Sequence, residues 1–123
     1  MSTLESVKRV LQEGETYAGL ILGKNGESDH HLVLLPGEAS DVTWSAARAW
    51  ATSLGGELPS RRELALLFAN CKEQFARVWY WSSEASEARS QLVWGQNWSS
   101  GIQTMYGRQF HGRARAVRRI PID

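Results

Sequence analysis

One cysteine, three prolines and no long apolar run narrow this chain before any motif is considered. A lone cysteine excludes an internal disulfide. Cys71 also falls on an apolar helical stripe, which marks it as a buried structural thiol rather than a catalytic or redox group. No apolar stretch approaches the ~18 residues a membrane span needs. Residues 1–14 mix apolar and charged positions, unlike the charged-then-apolar layout of a secretory signal, so a soluble chain that folds in the bacterial cytoplasm is expected. No glycine-rich phosphate loop precedes a helix, His111 has no nucleophile near it, and Glu84 and Glu87 stand alone in a polar turn. Nothing in these features points to an enzyme.

A strong overall charge is missing too, since the formal net charge is +1 over 123 residues. The basic excess is local, with 10 of the 14 Lys and Arg side chains in residues 60–123. One domain suffices at this length, which buries about two-thirds of the unfolded surface.

The most informative stretch is Leu54-Gly55-Gly56-Glu57-Leu58-Pro59-Ser60-Arg61-Arg62-Glu63. Two glycines supply a left-handed helix stop near Leu54, and Pro59 blocks continuation. Ser60 with Glu63 three residues on is a capping box, so a second helix starts at Arg61. Its stripe is Leu64, Leu67, Phe68, Cys71 and Phe75. The preceding helix takes Thr43 as its N-cap and Trp44, Ala47, Ala51 and Leu54 as its stripe, with Trp50 on the flank. The short connection predicts that the two helices cross and share one core.

Upstream, Leu4, Val7, Val10 and Leu11 predict an amphipathic helix over Thr3 to Glu13, either packed on the domain or serving as a docking segment. Tyr17 to Leu22 and His31 to Leu35 predict strands of a hairpin around Asn25-Gly26. His30 and His31, adjacent on a strand, point to opposite faces and make a poor metal site. Downstream of Phe75 the chain turns to strand formers at Trp79 to Ser83, Gln91 to Trp94, Gln96 to Trp98 and Arg113 to Ile120, broken by Gly95, Gly101, Gly107 and Gly112. Of the six tryptophans, Trp44, Trp50, Trp79 and Trp81 read as core. Trp94 and Trp98 lie in a polar segment and are candidates for exposure.

Four ordered motifs, Thr43-Trp44-Ser45-Ala46-Ala47, Leu54 to Glu63, Trp79-Tyr80-Trp81-Ser82-Ser83 and Arg113 to Arg119, resemble those of a known group. The chain looks like a phage and prophage domain family related to the C-terminal domain of a collagen-like bacterial adhesin. That resemblance implies an α+β, C-type-lectin-like fold of the formylglycine-generating-enzyme variety over residues 15–123. Two central helices would pack on a small twisted antiparallel sheet, with the N-terminal hairpin near the last strand and residues 1–14 as an attached helix. It also implies that ligand contacts come from Glu84 to Gly112. The Glu-Pro-Asn, Gln-Pro-Asp and Trp-Asn-Asp strings of calcium-dependent lectins are missing, and Gln96-Asn97-Trp98 has no carboxylate beside it, whereas calcium takes about six to eight oxygen ligands. The paired cysteines of the formylglycine-generating enzymes are missing as well. No cofactor is implied.

The expected function is therefore a non-enzymatic recognition module, receptor-binding or tail-associated, contacting a host surface molecule without calcium. The candidate ligand-binding residues are Gln91, Trp94, Gln96, Asn97, Trp98, Gln103, Tyr106, Arg108, Gln109, Phe110 and His111, aromatic and amide types that suit adaptable contacts. Multiple copies would raise weak single-site binding, so a homo-oligomer or assembly on a phage particle is expected. The alternative is a phage-encoded adaptor or inhibitor of one host or virion protein, with Arg113, Arg115, Arg118 and Arg119 facing an acidic partner. Nucleic-acid binding by the same arginines is the weaker use of that charge, because strand alternation with pairing to Glu84 or Glu87 accounts for it.

Overall fold

The computed structural model describes residues 3–122. Its helices are Leu4–Arg9 (α1), Trp44–Ser53 (α2) and Arg61–Asn70 (α3). Its strands are Thr16–Ile21 (β1), His30–Leu34 (β2), Ala39–Val42 (β3), Trp79–Ala85 (β4), Leu92–Asn97 (β5), Gln103–Gly107 (β6), Gly112–Ala114 (β7) and Val117–Pro121 (β8). Among the described residues this is an α+β arrangement of three helices and two sheets.

Asn25 and Gly26 both take positive φ, 55° and 86°, and the Glu27 N–H donates to the Lys24 carbonyl at 3.0 Å. A turn of this hand suits strand twist, so β1 folds back antiparallel on β2. β8 pairs along the other side of β2, which places the last strand beside the N-terminal hairpin as expected. The second sheet runs in the order β3-β7-β4-β5-β6.

The α2–α3 connection follows its capping chemistry. Gly55 takes φ 77°, its N–H donates to the Thr52 carbonyl and the Gly56 N–H to the Ala51 carbonyl, the paired bonds of a Schellman stop. Ser60 and Glu63 form the capping box at the start of α3. Between these ends Glu57 exchanges two backbone hydrogen bonds with Val117, and the Pro59 carbonyl accepts from the Ser83 N–H at 2.8 Å. The connection thus joins β8 of one sheet to β4 of the other.

The two helices do not share one core, contrary to expectation. Side chains on β4 alternate across the sheet: Tyr80 joins Leu64, Leu67, Phe75 and Trp98 on the α3 side, and Trp81 joins Trp44, Ala47 and Ala51 on the α2 side. The five-stranded sheet therefore separates α2 from α3, and each helix covers one face. Leu54 is exposed rather than part of the α2 stripe, because the Schellman turn carries it past the helix end. Cys71 is buried at the C-cap of α3. Tyr80 donates its hydroxyl proton to Glu38 and accepts from the Ala76 N–H. Burial and the Glu38 carboxylate push its pKa up to about 12.

α1 ends at Arg9, short of the predicted Glu13, because the Glu15 N–H turns back to the Gln12 carbonyl and Glu15 Oε1 accepts from the Gln12 N–H. Val7 is buried, so the helix packs on the domain. The predicted strand over Arg113 to Ile120 divides into β7 and β8 in different sheets. Arg115, at the break, is buried and donates to the carbonyls of Gln74 and Leu35.

The other arginines of this run are also used internally, and Glu84 and Glu87 are not their partners. Arg113 pairs with Glu38, Arg118 with Glu15, and Arg119 with Glu57 and Glu63. Glu63 is 1% exposed. Arg119 reaches both its oxygens, His30 Nε2 lies 2.7 Å from Oε2, and the Ser60 N–H donates to Oε1 at 2.8 Å. Burial alone would raise the Glu63 pKa, but Arg119, the Ser60 amide and His30 together hold it below the usual carboxylate range.

Arg119→Ala leaves the Glu63 charge buried without its main partner and is expected to cost about 3–5 kcal/mol in urea unfolding at pH 7. A carboxyl with a depressed folded pKa contributes its stability fully above the unfolded value of about 4.3 and loses it as pH falls through the folded value. Unfolding midpoints should therefore drop below about pH 4, with a shallower drop in Glu63→Gln. An identical pH slope in that variant would rule out Glu63 as a source.

Candidate functional site

Alternation along β5 sends Trp94 and Gln96 toward α3, and their cross-strand partners on β6 are Met105 and Gln103. The capping box places Arg61 and Arg62 in the first turn of α3, above this face. The Arg61 guanidinium lies 3.6 Å from the Trp94 ring centroid, and its Nε donates to Gln103 Oε1 at 2.9 Å. Gln103 Nε2 donates in turn to the Arg61 carbonyl and to Gln96 Oε1, at 2.7 and 2.8 Å. The Arg61 N–H donates to Glu84 Oε2 at 2.7 Å.

Arg61, Glu84, Gln96 and Gln103 border an open cleft of about 500 Å³, lined also by Phe68 and Gly101. Arg62 also lines it, exposed, its side chain with no hydrogen bond or ion pair among the described residues. The volume falls in the range of small-molecule sites, about 300–1,000 Å³. Among the described residues no three His, Cys, Asp or Glu side chains converge as a metal cage would require.

The predicted ligand-binding residues do not form one site. Gln96 and Gln103 line the cleft, although Gln96 is only 1% exposed and offers one amide edge rather than a surface side chain, and Trp94 reaches it only through Arg61, which lies over its ring. Trp98 belongs to the core and not to any surface: it is 1% exposed, stacked on Phe75 at 4.1 Å and edge-on to Phe68 and Tyr80. Its position just past β5, with the Trp98 N–H bonded to the Val78 carbonyl, turns it inward. Asn97 shapes the β5–β6 turn, its Oδ1 accepting from the backbone and hydroxyl of Ser99.

Tyr106 faces the α2 side, stacked on Trp79 at 3.8 Å. Arg108 lies over Trp44 and donates to the Ser90 carbonyl. Gln91 is exposed at the foot of β5. Gln109, Phe110 and His111 are exposed in the β6–β7 loop, where His111 Nδ1 lies 3.1 Å from the Asp41 carbonyl and borders a second cleft of about 330 Å³ with Trp79.

No protein-family model matches the chain. A search of the curated proteins finds no match either.

Arg61, Arg62 and Phe68 were not expected at the site, and Glu84, the first residue of the expected contact region, was not among its named candidates. A signal for the arginines is present in the sequence: two cations directly after an N-cap oppose the helix dipole, which favours anions there. Phe68 carries no such signal, because only the docking of α3 on the sheet brings it to the cleft.

Trp98→Ala should therefore destabilise the protein by about 3–5 kcal/mol, and Trp94→Ala by about 1 kcal/mol or less, in urea unfolding. Equal losses would contradict this division between core and cleft.

Proposed function

We propose that this chain is a non-enzymatic recognition module of a phage particle or prophage element, C-type-lectin-like in fold, that contacts a host surface molecule without calcium. The observation that carries this is the cleft, where an arginine lying over Trp94 and a pair of linked amides border open space. Such groups bind by shape and hydrogen bonding, and the linked amides hold their geometry before a ligand arrives. Glu84, the carboxylate at the cleft, is held by the Arg61 amide and has no nucleophile or second carboxylate bordering the cleft with it. The pairing of the last strand with the N-terminal hairpin agrees with the fold that the four motifs imply.

A specific feature favours the alternative, an adaptor or inhibitor directed at one host or virion protein. Ile102, just before the outer strand β6 of the five-stranded sheet, is 63% exposed and Met105 on that strand 37%, apolar side chains at a sheet edge of the kind protein contacts use. The arginines of residues 113–119 do not serve this role, since each is engaged inside the domain.

Labelled protein should bind intact candidate host cells saturably, with no change on adding a chelator, and Trp94→Ala with Gln103→Ala should abolish binding while keeping the fold. Absence of binding by a multimerised form would reject the host-surface role and favour the adaptor.

A further inference from the structure

The cleft carries a more specific assignment, which rests on the recognition role proposed above. Three sets of hydrogen-bond donors at the cleft have no acceptor among the described residues. Arg61 uses its Nε on Gln103 and leaves both terminal nitrogens unpaired. Arg62 uses none. Gln96 receives Gln103 on its Oε1, while its Nε2 has no partner although the residue is 1% exposed. That nitrogen is not sealed in the core, where the orphaned side-chain atoms are those of Trp98 and Arg115. A buried amide held by one edge, with its other edge lining a cleft, is preset to donate to a ligand.

We propose that the cleft binds a uronic acid residue of an acidic polysaccharide. Two guanidinium groups and one carboxylate line the cleft, and Glu84 already accepts the Arg61 backbone N–H, so the cleft is matched to a single negative charge. A phosphate dianion would bring its second charge against Glu84. The flat fork of an arginine fits a carboxylate with two parallel bonds, and Arg61 is held flat by Trp94. The remaining groups suit a sugar ring: Gln96 Nε2 donates to a hydroxyl, Glu84 accepts from one, and Phe68 supplies apolar wall to the cleft. An acidic peptide is the poorer fit, because the cleft presents side chains of α3 and β5 rather than a free strand edge for main-chain pairing.

The test uses the whole chain with tetrasaccharides of alternating uronic acid and N-acetylhexosamine, in glucuronate and galacturonate forms. Each is compared with its carboxyl-reduced counterpart, with the free uronic acid and with an oligoglutamate peptide. Nuclear magnetic resonance follows the Gln96 side-chain amide and the Trp94 indole N–H. Saturable shifts at both groups are expected for at least one acidic tetrasaccharide, weakened about tenfold or more by carboxyl reduction and by Arg62→Gln. The free acid should bind more weakly than the tetrasaccharide; equal binding would overturn the polysaccharide assignment.

Equal binding of the reduced sugar, shifts remote from the cleft, no binding of either acid form, or tighter binding of the peptide would each overturn the proposal. The broader role is judged separately on cells. Cell binding unaffected by Arg62→Gln overturns the uronate assignment and leaves host recognition standing. Uronate binding without cell binding does the reverse.

Discussion

The Glu63 carboxylate is the group on which both fold and cleft depend. It is buried, and its partners come from three parts of the chain: Ser60 at the head of α3, His30 on β2 and Arg119 on β8. Taking a carboxylate out of water costs several kcal/mol unless its lone pairs are used, and here the bidentate arginine and two further donors use them. Because Arg61 and Arg62 immediately precede Glu63, the contact that pins α3 to the three-stranded sheet also positions the cations of the cleft over the five-stranded one. Fold and candidate site are coupled through one turn of helix.

The same economy governs the rest of the charge. Arginine is abundant in the second half of the chain, yet the run from Arg113 to Arg119 faces inward partners, and Arg115 is buried deeply enough that desolvation lowers its pKa. Each of these side chains ties a late strand to an early segment: Arg113 to Glu38, Arg115 to Leu35, Arg118 to Glu15. Arg61 and Arg62 differ because their terminal nitrogens have no carboxylate or carbonyl partner among the described residues. A basic count alone does not separate the two kinds, since the distinction lies in whether a carboxylate or carbonyl sits within reach.

Aromatic side chains divide in a similar way. Trp98, Phe75 and Tyr80 form one aromatic group beneath α3, and Trp81 and Trp44 belong to the core on the α2 side, where Trp79 stacks on Tyr106. Trp94 is held between these two uses, half-buried and covered by Arg61. The polar setting of Trp94 and Trp98 in the chain looks alike, because Gln, Asn, Ser and Gly surround both. Strand alternation and the turn after Asn97 send one to lie under Arg61 and the other to the core.

Local chemistry was legible in the sequence: the Asn25-Gly26 turn, the Thr43 and Ser60 caps, the glycine stop after α2, the apolar stripe of α3 and the α+β class all follow from short-range sterics and hydrogen bonding. Those effects act within a few residues, so neighbours in the chain suffice to specify them. The division of Arg113 to Ile120 between two sheets, the placement of α2 and α3 on opposite faces of β4, and the meeting of Arg61, Phe68, Glu84, Gln96 and Gln103 at one cleft were decided only by tertiary structure. Each depends on which distant carboxylate, carbonyl or ring comes within bonding distance, and that is a property of packed sheets rather than of any local run of residues.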